Sequence, residues 1–191
     1  MEHVIVIGGS AGALEPLLEI VGTLPDELVA PIAIVIHLSP THPSLVPALL
    51  ARVSQRTVRE AEDKEPLAAG AVYVAPPDYH MLLERDRTIS LSIDAPVRYS
   101  RPSIDVLFVS AAQAFGAACT GVLLSGANDD GADGLRQIHE AGGNVLVQAD
   151  AVHPTMPQAG LTRVGPATPC LPPREIASYL ARSTIRPGSR P

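Results

Sequence analysis

The chain has 191 residues, 46% of them apolar and 18% charged, the balance of a globular domain with one substantial core. A formal net charge of -6 without any long basic run speaks against a nucleic-acid surface, and aromatic residues at 3% with no Trp speak against a stacking platform. No apolar stretch is long enough to span a membrane, no signal core opens the chain, and Cys119 and Cys170 lack metal-ligand spacing, so a cytosolic protein with reduced, buried thiols is expected.

Val4-Ile5-Val6-Ile7 is a run of β-branched residues that predicts a strand covered on both faces. It enters Gly8-Gly9-Ser10-Ala11-Gly12, and Leu14, Leu17, Leu18 and Val21 then repeat at helical spacing. This strand, turn and helix fit the G-x-S-x-G nucleophile elbow, which leaves Ser10 at the C-terminal strand edge beside a helix N-terminus. A phosphate-holding loop and a plain tight turn are the competing readings. A dinucleotide site is disfavoured because Ser10 replaces the second glycine and the next strand, Ile32 to Ile36, ends in His37 instead of an acid.

Further along, Ser44 is a candidate N-cap for a helix over Leu45 to Val53, and short strands are expected near Thr57-Val58 and over Ala71 to Ala75. His80 to Glu84 and Thr88 to Ile93 flank Arg85-Asp86-Arg87 as an antiparallel hairpin. Ser103 can cap a helix whose stripe is Ile104, Leu107, Phe108, Ala111 and Phe115. A strand at Gly121 to Leu124 feeds the loop Ser125 to Gly131, followed by a helix that Gly142-Gly143 closes and a strand at Val145 to Val147. Asp150 to Pro157 reads as irregular; then come a short helix, a Pro-rich connection, a last helix opening at Pro173, and a frayed tail from Ser183 to Pro191. Strands alternating with helices predict a doubly wound, mostly parallel, Rossmann-like α/β sheet with an appended hairpin, as one domain over residues 1–182.

In such a sheet, ligands collect at the C-terminal strand edge. Three loops there carry reactive groups: Ser10, His37, and the pair Asp129-Asp130. A serine hydroxyl needs a base, an imidazole needs an acceptor on its other nitrogen, and an oxyanion needs backbone donors. Ser, His and Asp supply the first two; the N–H of Ala11 and one from Gly126 to Asn128 can supply the third. The order Ser, His, Asp differs from the Ser, Asp, His of α/β-hydrolases. The blander readings are a hydrogen-bonded loop histidine for His37, the class to which His42 and His80 are assigned, and turn or N-cap roles for Asp129 and Asp130. Metal at His37 and His42, or calcium at Asn128 to Gly131, is disfavoured by missing ligands.

Several stretches together resemble the catalytic domain of CheB-type chemotaxis methylesterases. They are Ile7 to Gly12, the His37 loop, Val72 to His80, Tyr99 to Phe108, Leu123 to Ala132, and Met156-Pro157, in the family's order. The resemblance implies Ser10 as nucleophile, His37 as base, Asp130 as orienting acid, and backbone donors at Ala11 and Ala127. It implies hydrolysis of glutamyl methyl esters on the cytoplasmic helices of chemoreceptors with release of methanol, glutamine deamidation as a second activity, and no metal or organic cofactor. The chain departs from the family at Ser10-Ala11 (usually Ser-Thr), Ser125-Gly126-Ala127 (usually Thr-Gly-Met) and Leu38-Ser39-Pro40 after the histidine (usually Met-Pro). The backbone donors survive these changes because an N–H does not depend on its side chain. No receiver domain precedes the first strand, so control by a separate regulator, or none, is expected. Two rivals stay open: a serine hydrolase for another ester or amide, and a non-catalytic binding module of the same fold.

Overall fold

The computed structural model describes residues 3–37 and 44–184. The β-branched run forms β1 (Val4–Gly9), buried at every position, and the helical repeat after it forms α1 (Leu14–Thr23), which turns Leu17, Ile20 and Val21 inward. The second apolar run is β2 (Ile32–Ile36), again wholly buried. Next comes α2 (Val46–Val53), where Leu45 takes the capping position and Ser44 Oγ accepts from the Val46 N–H at 3.2 Å. β3 (Val58–Glu60) and β4 (Val72–Val74) follow, then β5 (His80–Leu83) and β6 (Ile89–Ser92), paired antiparallel as expected.

Ser103 caps α3 (Ile104–Phe115), its hydroxyl accepting from the Val106 N–H, and the chain continues through β7 (Cys119–Leu123), α4 (Ala132–Glu140) and β8 (Asn144–Gln148). The region read as irregular up to Pro157 is already helical from Thr155, within α5 (Thr155–Val164). The Pro-rich connection holds a two-residue strand, β9 (Cys170–Leu171), which pairs with β8 through its backbone and so needs no side-chain periodicity. α6 (Pro173–Thr184) carries helix two residues into the stretch read as a tail, the rest of which lies outside the described residues. Cys119 is buried, but Cys170 is exposed on that edge strand, contrary to the expectation for both thiols.

The main sheet has seven strands in the order β3-β4-β2-β1-β7-β8-β9, all parallel. From β1 the chain builds outward through β2 to one edge and then restarts on the other side with β7, so β1 is where the strand order reverses. One apolar cluster, with α1, α2 and α6, covers one face; the other, with α3, α4, α5 and the hairpin, covers the opposite face. This is the doubly wound fold, and it explains why the central strands are continuous apolar runs. Among the described residues no helix is long and apolar enough to cross a membrane.

The entry of α3 lies directly on β1: a Cβ added at Gly8 would sit 2.2 Å from Ile104 Cγ2. Gly8→Ala is therefore expected to lower the unfolding free energy by about 1–3 kcal/mol in a urea titration. An unchanged midpoint would contradict so close an approach.

Candidate active site

The order β2-β1-β7 makes neighbours of the three strands whose loops carry the reactive groups. β1 and β2 run in register with Gly9 opposite Ile36, so Ser10 and His37 leave the sheet side by side. Two backbone bonds fix that edge: the His37 N–H donates to Gly9 O at 3.1 Å, and the Ser10 N–H donates to Ser125 O at 2.9 Å. Ser10 is thus tied to the loop after β7, and the preceding Gly9 to the histidine strand.

The turn after Ser10 is shaped by Gly12, at φ 74°, and by the buried Ser125. The Ser125 hydroxyl donates to Ala11 O at 2.8 Å and accepts from the His153 N–H at 3.0 Å, while its own N–H donates to the buried Gln148 side chain at 2.9 Å. A Cβ at Gly12 would stand 2.9 Å from that hydroxyl oxygen, so glycine is required by backbone conformation and by space together. Ala11 and Ala127 are both exposed, and no acceptor among the described residues takes either N–H. These are the two N–H groups that the sequence reading expects to serve an oxyanion.

The His37 Nε2–H donates to Asp130 Oδ2 at 2.8 Å, with the imidazole side chain 12% exposed and the carboxylate fully buried. Asp130 also accepts from the Ile104 N–H at 2.7 Å, the Asp105 N–H at 3.1 Å and the Ser103 hydroxyl at 2.9 Å. The two amides belong to the first turn of α3, where backbone donors have no partner inside the helix and the dipole favours negative charge. Asp130 therefore caps a helix distant in sequence, and not the adjacent α4, whose capping residue is Gly131. Burial pushes the Asp130 carboxyl up, but the bond from His37 and the two amides outweigh it and hold the group below its ordinary value.

Behind this contact stands His80, buried in β5, which the sequence reading left among the hydrogen-bonded histidines. Its Nδ1 accepts from the Ser103 N–H at 3.1 Å and its Nε2–H donates to Ala95 O at 3.3 Å. His80 so fixes Ser103, and Ser103 fixes Asp130. Nothing in the local sequence points to this support, because it joins the hairpin to α3 across 23 residues.

Asp129 does not face His37. It takes both oxygens to the Arg98 guanidinium at 2.7 Å, and Arg98 also reaches Asp133 at 2.7 Å and Asp105 at 3.3 Å. Ser10 Oγ makes no hydrogen bond among the described residues, and Nδ1 of His37 is likewise unengaged. The expected meeting of three side chains is thus complete between His37 and Asp130, while Ser10 is adjacent through the backbone without a bond to the ring. Leu38 to Pro40 and His42 lie outside the described residues. A cleft of about 180 Å3 opens beside His37, walled by Asp78, Pro96 and residues 99–102.

Asp105 lies next to Asp130, and burial pushes its carboxyl up to about 6, with the Asp130 charge adding to the rise and the Gly134 N–H and Arg98 opposing it. An unfolded Asp titrates near ~4, so Asp105 holds its proton more tightly when folded, and its contribution to stability falls as pH rises from about 4 to about 6. Asp130 acts in the opposite sense, its contribution being lost as pH falls below the unfolded value and through its own lower one. Asp105→Asn is expected to flatten the stability profile between about pH 4 and 6 in urea unfolding. A slope identical to that of the unaltered chain would contradict the assignment.

The CheB methylesterase family model matches residues 5–180. A crystal structure of the Thermotoga maritima CheB methylesterase catalytic domain superposes with a TM-score of 0.90 at 30% identity, covering 96% of this chain and 99% of that one. An Anaeromyxobacter dehalogenans protein-glutamate methylesterase/protein-glutamine glutaminase is 39% identical over 183 residues, 95% of this chain and 53% of the relative. A Leptospira interrogans protein, provisionally named for the same two activities, is 46% identical over 144 residues, 75% of each chain. The chain spans about half the length of the Anaeromyxobacter relative and three quarters of the Leptospira one. With the fold, the strand-edge loops and the family model in agreement over nearly its whole length, the chain belongs to the CheB methylesterase family.

Proposed function

We propose that the chain is a serine esterase that hydrolyses glutamyl methyl esters on chemoreceptors, with Ser10, His37 and Asp130 as its catalytic residues. The observation that carries this reading is the buried Asp130 carboxylate bonded to Nε2 of His37 at 2.8 Å, on the strand next to Ser10. With the proton held on Nε2, the lone pair of the neutral ring is on Nδ1. In this reading the Ser10 side chain turns towards Nδ1, which takes the hydroxyl proton as Oγ attacks the ester carbonyl.

The carbonyl oxygen becomes an anion that the N–H groups of Ala11 and Ala127 stabilise, and Asp130 stabilises the imidazolium formed on His37. The ester C–O bond then breaks, the proton on Nδ1 goes to the departing oxygen, and methanol leaves. A water deprotonated by the same nitrogen attacks the acyl-serine, and collapse releases Ser10 and a glutamate. A glutamine side chain can follow the same route with ammonia as leaving group, which accommodates both activities named for the relatives. The substrate in this reading is the methylated cytoplasmic helices of the receptors.

Ser10→Ala is expected to keep the fold and to lower methanol release from a methylated receptor by roughly four to six orders of magnitude. His37→Ala and Asp130→Asn should be comparably severe, whereas Asp129→Asn, which touches Arg98 and not the ring, should cost less than about tenfold. Full turnover in Ser10→Ala would end the nucleophile assignment, and equal damage from Asp129→Asn would overturn the assignment of the acid.

A further inference from the structure

The segment between β6 and α3 forms one wall of the cleft beside His37. Within it Val97 and Ser100 exchange two backbone hydrogen bonds, of 3.1 and 2.8 Å, and close a two-residue turn. Both central residues have positive φ, 49° at Arg98 and 63° at Tyr99. This mirror-image turn suits Asn and Gly, and a bulky side chain adopts it only when something holds it there. Arg98 supplies the hold, with its guanidinium engaged by Asp105, Asp129 and Asp133.

Tyr99 receives nothing from the fold in return, being 104% exposed. A strained backbone is therefore clamped to present a ring that no described residue covers, at the wall of the cleft that contains His37. Arg101, which lines the same cleft, binds both Asp78 and the Ile93 carbonyl and so fixes the segment on the other side of Tyr99. Among the described residues the two arginines beside Tyr99 are engaged internally, Arg98 on three carboxylates and Arg101 on Asp78, which leaves the Tyr99 ring as the large side chain of the cleft that is free to meet a partner. The cleft, at about 180 Å3, is smaller than the roughly 300–1,000 Å3 that encloses a whole small-molecule ligand. It has room for a single side chain beside His37, with Tyr99 among the residues at its wall.

We infer that Tyr99 is a specificity-determining residue, whose ring packs on the polypeptide flanking the esterified side chain and so favours protein-borne esters over free ones. The inference rests on the esterase reading above. Exposed aromatic anchors that a rigid frame holds in place are what such recognition uses.

The test compares kcat/KM for a methylated chemoreceptor cytoplasmic fragment with that for p-nitrophenyl acetate, in the unaltered chain, Tyr99→Asn and Tyr99→Phe. Asn tolerates the positive φ, so the turn survives while the ring is lost, and Phe keeps the ring. The ratio of protein to small-ester kcat/KM should fall tenfold or more in Tyr99→Asn, through KM for the fragment, and recover to within about threefold in Tyr99→Phe. An unchanged ratio in Tyr99→Asn, or a loss shared equally by both substrates, would overturn the inference. So would an unaltered chain whose Ser10 reacts with a serine-directed phosphonate but which neither binds nor demethylates the fragment, an outcome that leaves the esterase chemistry standing.

Discussion

A buried negative charge on Asp130 is the constraint from which the rest of the site follows. Removing a carboxylate from water costs several kcal/mol even after the protein relaxes, and it is tolerated only where donors converge on it. Here four do: the His37 ring, the Ser103 hydroxyl and the first two amides of α3. Bonds to a charged group contribute about 1.5–3 kcal/mol each, enough together to hold the proton off Asp130 despite its burial. The same four contacts fix where α3 begins, which edge of the imidazole is engaged and which ring nitrogen is left over.

That arrangement depends on the sheet order. β1 is central, and the chain leaves it towards β2 before returning to its other side as β7, so the loops after β2 and β7 flank the loop after β1. α3 fills the crossover, and its entry lies against Gly8, which places the free amides of its first turn within reach of the β7 loop. Topology brings together groups 93 residues apart, and local chemistry then aligns them. Ser125 does the equivalent for Ser10, tying its amide and the Ala11 carbonyl to the loop after β7.

Much of the fold was legible in the sequence because buried parallel strands are written as apolar runs. Val4 to Ile7, Ile32 to Ile36 and Val145 to Val147 needed no context, and the hairpin announced itself by its turn residues. β9 was missed because two residues paired only through backbone leave no pattern, and the start of α5 was missed because His153 and the flanking prolines read as a loop. Of the site, the candidate pairing of His37 with Asp130 in preference to Asp129 came from the motif resemblance, and the geometry gives Asp129 a different partner in Arg98. His80 and the Arg98 hub were invisible because each acts through contacts that only the folded chain creates.

The tautomer of His37 tests the proposed chemistry most directly, because every proposed step uses the nitrogen that Asp130 leaves free. A 15N–1H correlation spectrum of the imidazole, recorded where the ring is neutral, should show the proton on Nε2 and a bare Nδ1. A neutral ring with its proton on Nδ1 and a bare Nε2 would mean that Asp130 does not set the tautomer, and the serine would then have no base.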